Sequence, residues 1–473
     1  MTSGSRAFAG VSPDGRDLTA ELVTAVHDLV RTDPPAEAMQ LARHVVVDGI
    51  AVMVAGATEP TGVGRLTTSW AREQGGAPRA TVIGGGFRTS PGLAAYVNGT
   101  LGHALDFDNT WYPMNHPTSP TLPAILALAE THGRSGLDAI LALIAAFEVQ
   151  ARLRIASRGL HTGRGFHKNG ITGTFGATIA AGLLLELDAR RFAMAIGIAG
   201  SRAGSLAVNT GTMTKSSHSG HAARMGVETA ELAAMGFTAN EDVFAPGGYF
   251  ETFLGDEHDR TLLVDGFAAP LHMVASGVGF KKYPANYFTH RCIDAALAIA
   301  SSEGFDASRI SRVAIDFPDF RYVDRAHPES GLDAKFSVQY TTAVALLDAA
   351  VGIDSFTDER RTSADVRALL EKVEARFDPG IPADFERMHA TVTVVMEDGR
   401  TLTETVSRLT GMHGIPLTRE QRVTKFLDCT QRVLEAGTAI ELLDMLERFD
   451  RLERIDDVMA IVARTANVSP TAT

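Results

Sequence analysis

Between Gly102 and Ala124 the chain reads GHALDFDNTWYPMNHPTSPTLPA, which puts His103, Asp106, Asp108 and His116 into one short stretch ahead of an apolar run. A surface turn has no need of two imidazoles, and a core has no need of carboxylates. An imidazole titrates near neutrality, so this grouping points to general acid–base chemistry. Three other stretches place polar groups where the surrounding pattern is buried. GRGFHKNGITGTFGA carries His167 at the entry to a Gly/Ala-rich helix. NTGTMTKSSHSGHAARMG sets Lys215 among Thr212, Thr214, Ser216 and Ser217 ahead of a helix. KFSVQYTTAVALLD has Tyr340 one turn into a helix. Free N–H groups at a helix start favour a bound carboxylate, and a lysine beside it supplies the charge an enolate-like intermediate requires.

Each residue also has a plainer reading. A histidine at a helix entry caps or hydrogen-bonds, an aspartate caps, Lys215 is a solvated lysine, and Tyr340 is core with its hydroxyl on backbone. On the catalytic reading, Lys215→Ala abolishes turnover and leaves thermal stability nearly intact. A metal-dependent hydrolase using His103, Asp106 and His116 is the alternative from another class. The chain contains no H-E-x-x-H and no clustered Cys, so no metal site is assigned. There is no G-x-S-x-G for a serine nucleophile. VIGGGFRTSPG lacks the lysine and the strand–Gly–helix order of a phosphate loop and reads as a turn.

The elements that must hold these groups are mostly helical from about residue 17 to 263. PPAEAMQLARHVVVDGIAVMVAGA repeats apolar residues every three or four positions, and later segments are rich in Ala and Gly on all faces, as in helices buried all round. Near Lys281 the character changes. RISRVAIDFPD and HATVTVVMEDGRTLTETV are strand signals, the second turning at Asp398-Gly399. The expected organisation is mainly α: a helical domain from residues 1–271 and 409–473, with a smaller α+β domain at 272–408 between.

Length and composition agree. At 473 residues two domains are expected, and a formal net charge of -12 argues against a nucleic-acid partner. Two cysteines, Cys292 and Cys429, make no disulfide framework and fit a cytoplasmic location. The N-terminus has no continuous apolar run of the kind a signal peptide carries, and the uncharged run Asn169–Leu185 is too short to span a bilayer, so no membrane partner is expected.

Taken together, HALDFDNTW with HP at 116–117, GFHKNGITGTFGA, GTMTKSSHSGHAAR, KKYPANYFTHRCIDAAL and KFSVQY resemble the MmgE/PrpD family of 2-methylcitrate dehydratases, cis-aconitate decarboxylases and iminodisuccinate epimerases. The resemblance implies a large all-helical domain, an α+β lid, a cleft site without metal or organic cofactor, and a homodimer. It places Asp106, Thr110, His116, His167 and Lys215 on active-site positions of the helical domain, with Lys281 and Tyr340 on the lid side. His103 and Asn286 are added as substrate-binding candidates. Asp106 and His116 would then be partners in proton transfer. Three departures stand out: Lys168 follows Phe-His where the family usually has proline, Asp108-Asn109 stands where many members carry two aspartates, and Asn286 stands where some decarboxylases have His. The leading expectation is a cofactor-free lyase of a small di- or tricarboxylate, with citrate-like dehydration first, then cis-aconitate-type decarboxylation or epimerisation of an amino-dicarboxylate.

Overall fold

The computed structural model describes residues 15–111, 115–158 and 160–465; the first residues, read above for a leader, and positions 112–114 of the His103–His116 motif lie outside the described residues. Six helices frame the site: α1 (Ala36–Gly56), α2 (Pro91–Ala104), α3 (Thr118–His132), α4 (Gly136–Ala156), α5 (Lys168–Leu184) and α6 (Met213–Ala234). By length and composition α1 is apolar enough to cross a membrane, but 72% of its most apolar window is buried inside the protein. It packs on α2 as a core helix.

Small residues let these helices approach closely. A Cβ built on Gly220 of α6 would lie 2.2 Å from the Tyr96 carbonyl oxygen of α2, and one on Gly99 would lie 2.8 Å from the Gly220 Cα. Neither position accepts a side chain without the helices separating. That contact brings the first turns of α6, with Lys215 and His218, against the end of α2 that carries His103. The Ser216 hydroxyl donates to the His103 carbonyl at 3.4 Å.

Among the described residues there are two large hydrophobic cores and a small cluster of Val63, Ala104 and Leu332. The first core draws on residues from Leu18 to Phe280, on Ile353, and on residues from Leu417 to Val462; the second draws on residues between Tyr283 and Met412. Helices α7 (His290–Ala300) and α8 (Val338–Asp348) belong to the second. So do strands β1 (Ile310–Pro318), β2 (Val373–Asp378), β3 (Ala390–Met396) and β4 (Thr401–Val406). The sheet order is β2-β1-β3-β4, with β1 parallel to β2 and the other pairs antiparallel. Along β3 alternate residues are buried, while Thr391 and Thr393 on the other face meet Thr405 and Thr403 across the hairpin at 2.8 and 3.2 Å. The tail helix α9 (Arg419–Thr430) returns to the first core through Phe426 and Cys429.

Tyr340 sits one turn into α8, but it does not reach the cleft. Its hydroxyl donates to the Ser355 carbonyl at 2.5 Å and its ring packs near Phe356 in the second core. The catalytic role expected from the sequence is therefore corrected: Tyr340 is a core residue whose polar atom is satisfied by backbone.

Candidate active site

The loop from Leu105 to Trp111 links α2 to a short antiparallel pairing of Thr110–Trp111 with Val278–Gly279. Asp106 takes a left-handed backbone, φ 49, uncommon for a non-glycine residue although aspartate and asparagine tolerate it best. Its carbonyl and its carboxylate are both held by lysines. Lys281 donates to the Asp106 carbonyl at 2.5 Å and to its carboxylate at 2.8 Å, while Lys215 donates to the other carboxylate oxygen at 2.5 Å. Two more buried lysines hold neighbouring carbonyls. Lys335 donates to Ala104 at 3.0 Å and pairs with Glu59 at 3.3 Å; Lys425 donates to Phe107 at 3.0 Å and pairs with Asp48 at 2.6 Å. Asn109 bonds Asp48 and accepts from Thr118, closing the far side of the loop.

Burial alone would raise the Asp106 carboxyl, but Lys215 and Lys281 outweigh it and hold it well below the carboxylate range. Desolvation opposes the Lys215 charge, yet Asp106 more than offsets it and the ammonium is stabilised. A carboxylate pinned in its ionised form cannot trade protons near neutrality. Asp106 fixes Lys215 instead, and the expected proton-transfer pairing of Asp106 with His116 is not formed.

Asp108 takes that place. His103 Nδ1 lies 3.0 Å from one of its oxygens and His116 Nδ1 lies 3.2 Å from the other. His103, Asp108 and His116 offer ligand atoms within 4.8 Å of one another, so the group with metal-ligand chemistry contains Asp108 rather than the expected Asp106. The His103 ring stacks 5.7 Å from His167, and His167 Nδ1 faces His218 Nδ1 at 3.0 Å. One proton fits between those two nitrogens, so one ring donates and the other accepts.

A cavity of about 140 Å³ lies against this cluster. The helical domain contributes Asn115, His116, Phe166, His167, Lys168, Ala207 and Lys215; the second domain contributes Asn286, Tyr287, Phe288, Phe320 and Tyr322. Of the residues expected from the sequence, His116, His167, Lys215 and Asn286 meet in the cavity. His103, Asp106 and Lys281 stand behind it. Thr110 lines a separate crevice with Trp111, Gly279 and Tyr287. Sequence reasoning missed Asp108 as the histidine partner, Tyr322 and the lysines at 335 and 425. Tyr322, whose hydroxyl meets Thr210 at 2.9 Å, follows a strand as one aromatic among several and carries no local signal.

The sequence profile of the MmgE/PrpD N-terminal domain matches residues 20–261, and that of the MmgE/PrpD C-terminal domain matches residues 283–451. The chain belongs to the MmgE/PrpD family. Among curated MmgE/PrpD-related proteins, cis-aconitate decarboxylase of Mus musculus is 33% identical over 76% of each chain. The Homo sapiens protein of the same name is 30% identical over 91% of each chain, and that of Aspergillus terreus strain NIH 2624 is 27% identical over 91% of this chain and 92% of its own. This MmgE/PrpD protein is an enzyme, a lyase.

The buried imidazoles of this MmgE/PrpD chain make its stability acid-sensitive. Burial pushes His103 and His218 down to about 4 and His161 to about 3, and partial burial takes His44 to about 4. An unfolded imidazole titrates near ~6.5, so between those values the unfolded chain binds more protons and stability rises with pH. Lowering the pH from about 6.5 toward about 4 is expected to depress Tm steadily, which a thermal melt series checks. A level Tm across that window would contradict neutral buried imidazoles.

Proposed function

We propose that the chain decarboxylates a small unsaturated tricarboxylate of the cis-aconitate type. The observation that carries the reading is one ammonium, Lys215, fixed by Asp106 and facing the same small cavity as His116 and His167. The similarity to cis-aconitate decarboxylases supports decarboxylation over the citrate-like dehydration that the sequence alone put first.

In this reading the bond between the substrate CH2 carbon and its carboxylate breaks and carbon dioxide leaves. The released pair forms a new terminal C=C bond, and the pair of the old double bond takes a proton at its far carbon. The charge developed on the way is enediolate-like, next to a carboxylate, and Lys215 stabilises it. Burial keeps His167 far below the usual imidazole range, so it enters the cycle neutral. A neutral imidazole that carries its proton on the cavity-side nitrogen can deliver it to carbon, and His218 can return one through the facing nitrogens. The substrate trianion and one proton become a dianion and carbon dioxide. A cytoplasmic homodimer belongs to the same reading on the strength of family membership alone.

Incubation with cis-aconitate, citrate and 2-methylcitrate in deuterated water, followed by NMR, tests the assignment. The expected result is carbon dioxide release from cis-aconitate with one solvent deuterium on product carbon. Loss of water from citrate or 2-methylcitrate without carbon dioxide would overturn it in favour of a dehydratase. Deuterium exchange without net turnover would indicate an epimerase.

A further inference from the structure

The cavity has two walls of different chemistry, because two domains build it. Every lining group that can carry charge near neutrality, His116, His167, Lys168 and Lys215, comes from the helical domain. The second domain supplies Asn286, Tyr287 and Phe288, just ahead of α7, and Phe320 and Tyr322, just after β1. Phe288 and Phe320 stack with ring centroids 4.3 Å apart, and Tyr322 packs on Phe320 at 5.7 Å. Burial raises both phenols, so neither tyrosine is an anion near neutrality. The Tyr322 hydroxyl is engaged by Thr210, and Asn286 accepts from the Phe288 N–H at 3.1 Å with its side-chain oxygen. What this wall offers a substrate is aromatic surface and one neutral NH2. Arg325 acts on the Tyr322 phenol, but it is paired with Asp333 and is not among the residues lining the cavity.

Such a surface holds a carboxylate poorly. Taking an anion out of water costs free energy unless charges or hydrogen bonds replace the water. Carbon dioxide is neutral and apolar and carries no such cost. When the carbon–carboxylate bond breaks, its electron pair enters the new C=C bond. The negative charge leaves the carboxylate for the enediolate beside Lys215, and neutral carbon dioxide stays behind. An uncharged wall at the leaving group therefore opposes the ground state more than the transition state, and that difference lowers a barrier.

We propose that the carboxylate lost as carbon dioxide lies against the Phe288–Phe320 wall, while the carboxylates that are retained face Lys215 and the histidines. The inference rests on the decarboxylase reading above and adds which end of the substrate meets which domain. Phe288 and Phe320 then select the bond that breaks. In the opposite orientation the leaving carboxylate would sit beside an ammonium, where its charge is stabilised and the bond is kept.

A cation placed on this wall tests the orientation. Phe288 and Phe320 are both half-buried, which suits a long charged side chain. Phe320→Lys, Phe288→Lys and Phe320→Glu are compared with wild type by kcat on cis-aconitate and by calorimetric binding of two acids. One is propane-1,2,3-tricarboxylate; the other is methylenesuccinate, the dicarboxylate that the reaction would leave. Each lysine variant is expected to bind the tricarboxylate about tenfold tighter or more, the scale of a charge-assisted hydrogen bond, and methylenesuccinate within about twofold of wild type. At the same time kcat falls about threefold or more, since the new contact is lost as the charge leaves. Tighter binding with slower turnover is a combination that a loosened fold does not produce. Phe320→Glu is expected to weaken the tricarboxylate and spare methylenesuccinate. Thermal melts accompany the titrations, and a variant that does not fold leaves the other two to decide. Lysine variants that weaken both acids, tighten both equally, or turn over as fast as wild type overturn the orientation while the decarboxylase reading stands. Wild-type protein that releases no carbon dioxide from cis-aconitate overturns that reading itself.

Discussion

Lys215→Met is expected to lower kcat/KM by about 10²–10³-fold, the scale of a removed oxyanion donor. The ammonium sits 2.5 Å from Asp106 and 4.9 Å from the Phe336 ring centroid, so its position is set by charge on one side and an aromatic face on the other. Methionine keeps the length and removes the charge. Lys215→Arg should also fail, because a planar, longer guanidinium cannot occupy the position of a point charge between those walls. The sequence expectation that such variants leave stability untouched is corrected here. Lys215 is 6% exposed and ion-paired, not a solvated lysine. Its removal leaves Asp106 with Lys281 alone, so Tm should fall measurably as activity disappears. Steady-state rates within about threefold of wild type, less than about one kcal/mol of barrier, would show that Lys215 is not at the reacting centre.

Asp106→Asn has the second large effect, and it falls on stability as well as rate. Asparagine tolerates the left-handed backbone at this position, so the substitution removes charge without adding backbone strain. Lys215 and Lys281 are then both buried with no carboxylate between them. Breaking a buried pair in this way costs about 3–5 kcal/mol, read as a shift in the denaturation midpoint at constant slope. The loss of Asp106 also removes what holds the Lys215 charge, so the alkaline limb of the kcat–pH profile should move to lower pH. Adding Lys281→Met to Asp106→Asn should recover part of the stability and none of the activity. A single variant within about one kcal/mol of wild type would contradict the lysine–aspartate–lysine arrangement.

The strands at 312–317 and the hairpin at Asp398-Gly399 were legible because period-two alternation and a Gly at φ 85 are local signals. The buried-all-round helix that begins at Lys168 was legible for the same reason: no face of it is polar enough for water. The site was legible only as residue types. Of two aspartates two positions apart, Asp108 meets the histidines while Asp106, at φ 49, is bonded by Lys281 from 175 residues away, and neither pairing is written in the local sequence. Lys335 and Lys425 look like ordinary lysines in their own segments, since their partners at Ala104, Glu59, Phe107 and Asp48 are brought to them by tertiary folding. Tyr340 misled because a tyrosine one turn into a buried helix looks the same whether its hydroxyl meets a ligand or the Ser355 carbonyl.

The lysines that hold the Ala104, Asp106 and Phe107 carbonyls stand at positions 335, 281 and 425. During synthesis these anchors leave the ribosome one after another, long after the loop itself. Until Lys281 emerges, Asp106 and Asp108 are two neighbouring carboxylates with only Lys215 and the histidines to neutralise them. The third anchor arrives with α9, 318 residues after the carbonyl that it holds. The helical block that is made first therefore cannot hold a finished catalytic loop, and competence for chemistry waits on contacts closed across as many as 318 residues of sequence.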